Sequence, residues 1–245
     1  MSPHSKNIGA VILAAGGSCR FGQPKQLILF HGETLLRRVI NAVRDAHCSP
    51  IVVVIASDDE KVARELRPAS VTMVENKQWQ RGIGSSIRAG VQALTRKPLD
   101  IDAIVLLVCD QPAVDAHAIK RLITLRSTTN KDIVASKYAD TLGVPALFSS
   151  AFFRELGSLE DGAGAKSIIQ QNRNRVAEFL FPGGEIDIDT REEWEKLNAD
   201  GLLQRRWRKR SLIKFEIAAT LNKHHGPPKS LRNDLNKRPG KVPAF

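Results

Sequence analysis

Cysteine is scarce in this sequence: three residues, Cys19, Cys48 and Cys109, lie far apart in 245 and form no C-x-x-C pair. That pattern argues against a disulfide framework and against a thiolate metal site, and a reducing cytoplasm is the expected setting. No apolar run is long enough for a membrane span, and the polar stretch Met1 to Asn7 leads straight into a strand pattern, so neither a span nor a secretory leader is expected. Aromatic residues make up 5% of the chain, with Tyr138 the sole tyrosine. Acidic residues are scarce only at one end. The formal net charge is +11, yet residues 1–200 carry 25 Lys+Arg against 24 Asp+Glu, and residues 201–245 carry 12 against 2. The first stretch reads as one nearly neutral domain with ample length for a core, the second as a basic, flexible tail. Binding to nucleic acid, an anionic membrane or an acidic partner is therefore expected only through the tail.

The glycine-rich stretch near the start has neither the G-x-x-x-x-G-K-[ST] order nor the G-x-G-x-x-G spacing of the common nucleotide signatures. It reads Val11-Ile-Leu13-Ala14-Ala15-Gly16-Gly17-Ser-Cys-Arg20-Phe-Gly22-Gln-Pro24-Lys25-Gln-Leu27. The apolar run from Ile8 to Ala14 enters as a buried strand and stops at Gly16-Gly17, where backbone without Cβ atoms can turn N–H groups towards an oxyanion. Arg20 offers a planar fork and Lys25 a mobile point charge, a pair suited to a triphosphate whose bridging bond is to break.

Strand and helix patterns then alternate. Thr34 is the expected N-cap of a helix from Leu35 to Ala46, Ile51 to Ala56 is a β-branched strand, and Asp58 or Asp59 caps a helix ending at Leu66. After a short strand at Val71 to Val74, Gly82, Gly84, Ser85 and Ser86 precede a helix to about Leu94, whose amino end suits phosphate or ribose oxygens. Ala103 to Cys109 is the strongest strand and ends in Asp110-Gln111-Pro112, at the strand end where open α/β sheets meet ligands and metals. A helix from Asp115 to Arg126 and strands at Ile133 to Ala135 and Leu142 to Phe148 follow, the last with a Pro145 that suits an edge or a turn. Val176 to Phe181 is a strand, and alternation in Ile186-Asp187-Ile188-Asp189-Thr190 puts both acids on one face. The expected fold is α/β: a three-layer, mostly parallel, Rossmann-like sheet with helices on both faces.

L-A-A-G-x-S-x-R-F-G-x-P-K-Q-L, N-x-x-W-x-x-G-x-G-S-S, C-D-Q-P, G-x-P-x-L-F, D-x-x-G-A-K and I-D-T occur in that order over residues 8–198. Together they resemble the MobA-like nucleotidyltransferases, and within them the molybdenum cofactor cytidylyltransferase branch; beyond Gly201 the resemblance ends. It implies a nucleotidyltransferase fold and transfer of CMP from CTP to the phosphate of molybdenum-molybdopterin, with release of pyrophosphate. Leu13, Ala14, Ala15, Gly16, Gly17, Arg20, Lys25, Gly82, Gly84, Ser85 and Ser86 are implied as nucleotide contacts, Arg20 and Lys25 among them as catalytic. Asp110 and Asp189 are implied as ligands of Mg²⁺, with Asp187 a weaker candidate. Lys166 is either an acceptor contact or a solvated lysine at a helix start, and Tyr138 either a pocket hydroxyl or a core ring.

Ala15 is the residue that favours CTP, since L-A-G-G is usual in the guanylyl-transferring branch. Guanylyl transfer and transfer to a sugar or polyol phosphate remain alternatives on the same fold. A non-catalytic carrier that hands finished cofactor to a molybdenum hydroxylase apo-enzyme is the alternative of another class.

Overall fold

The computed structural model describes residues 7–17, 23–96, 100–186 and 194–195. Arg20, Asp187, Asp189, the Thr190 cap and the proposed tail from residue 201 lie outside the described residues.

The first strand, β1 (Ile8–Ala14), is buried at every position and is followed by the glycines and then by a single 3-10 turn at Lys25–Leu27. A small hairpin comes next, β2 (Leu29–Phe30) and β3 (Glu33–Thr34), turning on His31 and Gly32 at φ 54° and 82°. The Thr34 hydroxyl accepts from the Arg37 N–H and so starts α1 (Leu35–Asp45), as the sequence pattern predicts. The chain continues as β4 (Ile51–Ala56), α2 (Glu60–Leu66), β5 (Thr72–Asn76) and α3 (Ile83–Thr95). Then follow β6 (Ala103–Val108), α4 (Ala116–Thr129), β7 (Ile133–Tyr138), β8 (Thr141–Ser149), α5 (Phe153–Leu156), α6 (Ala165–Gln171) and β9 (Val176–Leu180). Asp59 and Asp115 cap α2 and α4 through hydrogen bonds to Val62 and Ala118.

Seven strands form one sheet in the order β5-β4-β1-β6-β8-β7-β9. The pairs β1–β4, β1–β6, β4–β5 and β7–β9 are parallel, and β8 runs antiparallel to both β6 and β7. Successive side chains of a strand face opposite sides, so each central strand feeds two cores. Val11, Leu13, Val54 and Leu106 pack with Ile87, Val91 and Leu94 of α3 and with Ile168 and Ile169 of α6. On the other side Ala10, Ile12, Val53 and Leu107 are buried as well, with α1 packed on β1 and α4 on β7, β8 and β9. This is the expected three-layer, mostly parallel α/β architecture.

One expectation needs correction. Pro145 does not sit on an edge strand: β8 lies between β6 and β7. It is accommodated because the β7–β8 register shifts at Ala135/Ser136, where pairing jumps from Ala146 to Gly143, and the β6–β8 ladder ends at Ala146. A residue without an N–H thus falls where neither neighbour needs a donor, and the Ser136 hydroxyl donates to its carbonyl at 2.6 Å.

Candidate active site

The carboxyl ends of β1 and β6 and the amino end of α3 surround a cavity of about 320 Å³. Leu13, Ala15, Gly16, Gly17, Lys25, Gly82, Ser86 and Asp110, all expected from the sequence, line it. They come from three separate parts of the chain, because parallel strands bring the ends of β1 and β6 side by side, in register from Ile8–Ala103 to Leu13–Val108. Gln26, Trp79, Gln80, Ile83, Val108 and Cys109 complete the lining without having been assigned a role from sequence. Trp79 and Ile83, the latter 45% exposed, give one wall an apolar character while Lys25 and Asp110 bring opposite charges to the cavity.

Three expected nucleotide contacts, Gly84, Ser85 and Ala14, do not line it. Gly84 is buried behind the wall, where its N–H donates to Asp161 O at 2.9 Å and an added Cβ would run into the Glu160 carbonyl. The Ser85 hydroxyl donates to Gly82 O at 2.8 Å and Gln78 O at 2.9 Å, and it accepts from Asn76 Nδ2 at 2.9 Å. Glycine and serine at these positions therefore assemble the wall. Asn76 is the centre of that assembly: its amide also donates to the Ser86 hydroxyl at 3.0 Å, and its oxygen accepts from Gln78 N–H at 2.9 Å. Ala14 is buried in the strand, with its carbonyl held by Gln26. Lys166 is exposed on α6 and Tyr138 donates to Val144 O at 3.0 Å beside β8; neither lines the cavity.

The loop from Leu159 to Gly164 braces the wall from outside. Arg88 pairs with Asp161 and also donates to Leu159 O, and Arg81 reaches Asp161 at 2.7 Å. The hydrogen bond from Arg88, helped by the charge of Arg81 and opposed by desolvation, holds the Asp161 carboxyl below its ordinary range. A lowered native pKa stabilises the brace above the ordinary carboxylate range, and that stabilisation is lost as pH falls through the lowered value. The protection of the Gly84 N–H against hydrogen exchange is therefore expected to drop as the pH falls below about 4, through the ordinary carboxylate value and on to the lowered one, and an Asp161→Asn variant should lose this dependence. Equal pH dependence in both proteins would contradict the assignment.

Cys109 is buried next to Asp110, and burial, followed by the charge of Asp110, pushes its thiol up, the wrong direction for a nucleophile. Among the described residues no group of three or more His, Cys, Asp or Glu side chains could hold a metal ion. Asp110 alone of the described lining residues supplies a carboxylate, a hard oxygen donor. One or two carboxylates completed by substrate phosphates is the usual protein environment of Mg²⁺, so the residues fit that ion better than one that needs an all-protein cage.

The family model for the MobA-like NTP transferase domain matches residues 10–176, which contain every described lining residue. The chain belongs to the MobA-like NTP transferase family. Among curated members and relatives, nicotine blue oxidoreductase of Paenarthrobacter nicotinovorans is 29% identical over 200 residues, 78% of this chain and 96% of that protein. A probable molybdenum cofactor guanylyltransferase of Bacillus cytotoxicus is 28% identical over 48% of this chain, and the match spans 56% of its length. The match to the bifunctional protein GlmU of Buchnera aphidicola covers 30% of that longer protein. The crystal structure of Rv0371c from Mycobacterium tuberculosis H37Rv superposes with a TM-score of 0.66 at 26% identity, over 80% of this chain and all of the other. The same protein in complex with manganese gives a TM-score of 0.61. No helix among the described residues of this family member is long and apolar enough to cross a membrane.

Proposed function

We propose that this nucleotidyltransferase moves CMP from CTP to the phosphate of molybdenum-molybdopterin, releasing pyrophosphate, with Mg²⁺ as the metal. The observation that carries the reading is the meeting of Gly16, Gly17, Lys25 and Asp110 around one cavity. An acceptor phosphate oxygen attacks the α-phosphorus, the bond to the oxygen bridging to the β-phosphate breaks, and pyrophosphate departs with that electron pair. An acceptor phosphate dianion brings no proton that must be removed, so no general base is required, and direct attack on the α-phosphorus needs no covalent enzyme intermediate.

Catalysis then rests on alignment and on charge placed in advance. Gly16 and Gly17 offer backbone N–H groups to the departing pyrophosphate, with Arg20 assigned to the same task. Lys25 is placed on the α-phosphate, where negative charge builds. Asp110, with Asp189 as second acid, would hold the Mg²⁺. When bound, that ion supplies charge neutralisation on the phosphate oxygens. The partly apolar wall of Trp79 and Ile83 suits the flat faces of a base or a pterin.

CTP is favoured over GTP by Ala15, whose buried side chain lines the cavity where L-A-G-G sequences have glycine. The guanylyl alternative is favoured by the name of the Bacillus relative. An oxidoreductase reading is favoured by the name of the Paenarthrobacter relative. Pyrophosphate release with each of CTP, GTP, ATP and UTP, with and without molybdenum-loaded molybdopterin, separates these. Release with CTP only in the presence of the acceptor is expected. Release with GTP moves the assignment to the guanylyl branch, and silence with every nucleotide favours a cofactor carrier with a molybdenum hydroxylase apo-enzyme as its partner.

If Lys25 acts on the α-phosphate, Lys25→Ala lowers kcat by roughly 100-fold, while KM for the nucleotide changes by only a few-fold. A variant that turns over at the parent rate would remove Lys25 from the mechanism.

A further inference from the structure

Gln26 is only 3% exposed and directly follows Lys25. Its side-chain nitrogen donates to two carbonyls at the end of β1, Ala14 O at 2.6 Å and Gly16 O at 3.2 Å. A primary amide carries two N–H donors in a fixed plane, so one side chain can set the positions of two peptide units. Within a trans peptide unit the C=O and the N–H point in opposite directions. Drawing Ala14 O and Gly16 O towards Gln26 therefore turns the N–H groups of Ala15 and Gly17 away from it. Ala15, Gly16 and Gly17 line the cavity, and among the described residues none of their N–H groups has a backbone acceptor. Donors held in that way at the end of a buried strand are costly unless an anion or water meets them.

We propose that Gln26 is the positioning residue of this loop. By holding two carbonyls on its own side it presents the Ala15 and Gly17 N–H groups as a preformed site for the pyrophosphate part of the nucleotide, and it ties the backbone beside Lys25 to the same frame. The amide nitrogen of Gln26 acts on the loop backbone, where its hydrogen bonds go. The inference rests on the nucleotide reading of the cavity and adds to it the device that organises the phosphate end. Lys25 and Arg20 supply charge, whereas Gln26 supplies geometry, which would otherwise have to be reached by ordering a glycine-rich loop at each binding event.

The test uses the full chain and magnesium pyrophosphate, a probe without a base, so that it does not depend on which nucleotide is preferred. Gln26→Met keeps the length of the side chain and removes both donors; Gln26→Asn keeps the amide but shortens its reach, and carries the same test if the first variant does not fold. Calorimetry is expected to show pyrophosphate binding weakened about tenfold or more in Gln26→Met. The Ala15 and Gly17 amide signals in NMR should shift on adding pyrophosphate to the parent and shift less in the variant. A Gln26→Met protein that unfolds at a lower temperature but binds pyrophosphate as tightly as the parent, with the same amide shifts, would reduce Gln26 to a structural role and overturn the inference alone. A parent protein that binds neither pyrophosphate nor any nucleoside triphosphate would overturn the nucleotide reading and this inference together.

Discussion

Asp110→Asn is expected to lower kcat at least about 1,000-fold while leaving the thermal unfolding temperature close to that of the parent. Asp110 lies two residues past the end of β6, a strand flanked by β1 and β8, and lines the cavity together with the glycine loop. No covalent step is assigned to the protein, so the barrier is lowered by alignment and by charge. A carboxylate that holds the one divalent ion near the phosphates controls both. Asparagine keeps the shape and much of the hydrogen bonding but gives up the negative charge, so the variant separates metal binding from packing. Mg²⁺ titration adds a second readout: the variant should need far more Mg²⁺ for its residual turnover. A fully active Asp110→Asn enzyme with the parent's Mg²⁺ dependence would remove this residue from the metal site.

Gly84→Ala is expected to destabilise the fold by about 3 kcal/mol, a value at the upper end of the usual cost of overpacking. An added Cβ would collide with the carbonyl of Glu160 and come within 2.7 Å of Ala163 O, both backbone atoms that have no side-chain freedom to give way. The displaced groups belong to the loop that Arg81 and Arg88 clamp through Asp161, so the strain reaches the cavity wall at Gly82 and Ile83. Nucleotide affinity should therefore fall together with stability. Gly16→Ala is the contrasting case, because a Cβ there meets none of the described residues within 4 Å. Denaturant unfolding of the two variants should show a large loss for Gly84→Ala and a small change for Gly16→Ala. Equal losses would mean that the packing of α3 against the Glu160 loop does not require the glycine.

The contrast between these two glycines shows where sequence reading stops. Strands such as β1 and β4 are legible to the residue because each is a continuous apolar or β-branched run ended by a turn signal. The N-cap at Thr34 is equally legible and the one at Asp59 is legible to within one residue, since a cap depends on neighbours three residues away, whereas Asp115 reads as the first helical residue and is the cap. Asp110 is legible because charge at the end of an apolar run has a short list of uses, and Lys25 because it is a cation that follows a glycine loop at the end of another such run. The resemblance implies Gly84 and Ser85 as nucleotide contacts; the packing of Gly84 on Glu160 and Asp161 is not legible because those residues lie far along the chain, and the bond of Ser85 to Asn76, within the same motif, appears only in the fold. Asn76 and Gln26 carry no task legible in the sequence, because a buried amide has no local signature and its role appears only when its two partners are known. Pro145 was misplaced because a shift in strand register is a property of two strands, which one strand's sequence does not carry.

The most direct test of the central claim follows phosphorus through the reaction. ³¹P NMR of the full chain with Mg²⁺, CTP and molybdenum-loaded molybdopterin should show the three CTP resonances replaced by free pyrophosphate and by the paired signals of a new P–O–P linkage between CMP and the acceptor phosphate, in equal amounts. Appearance of orthophosphate with CDP, or full retention of CTP while a reduced nicotinamide is consumed, would contradict nucleotidyl transfer at this cavity.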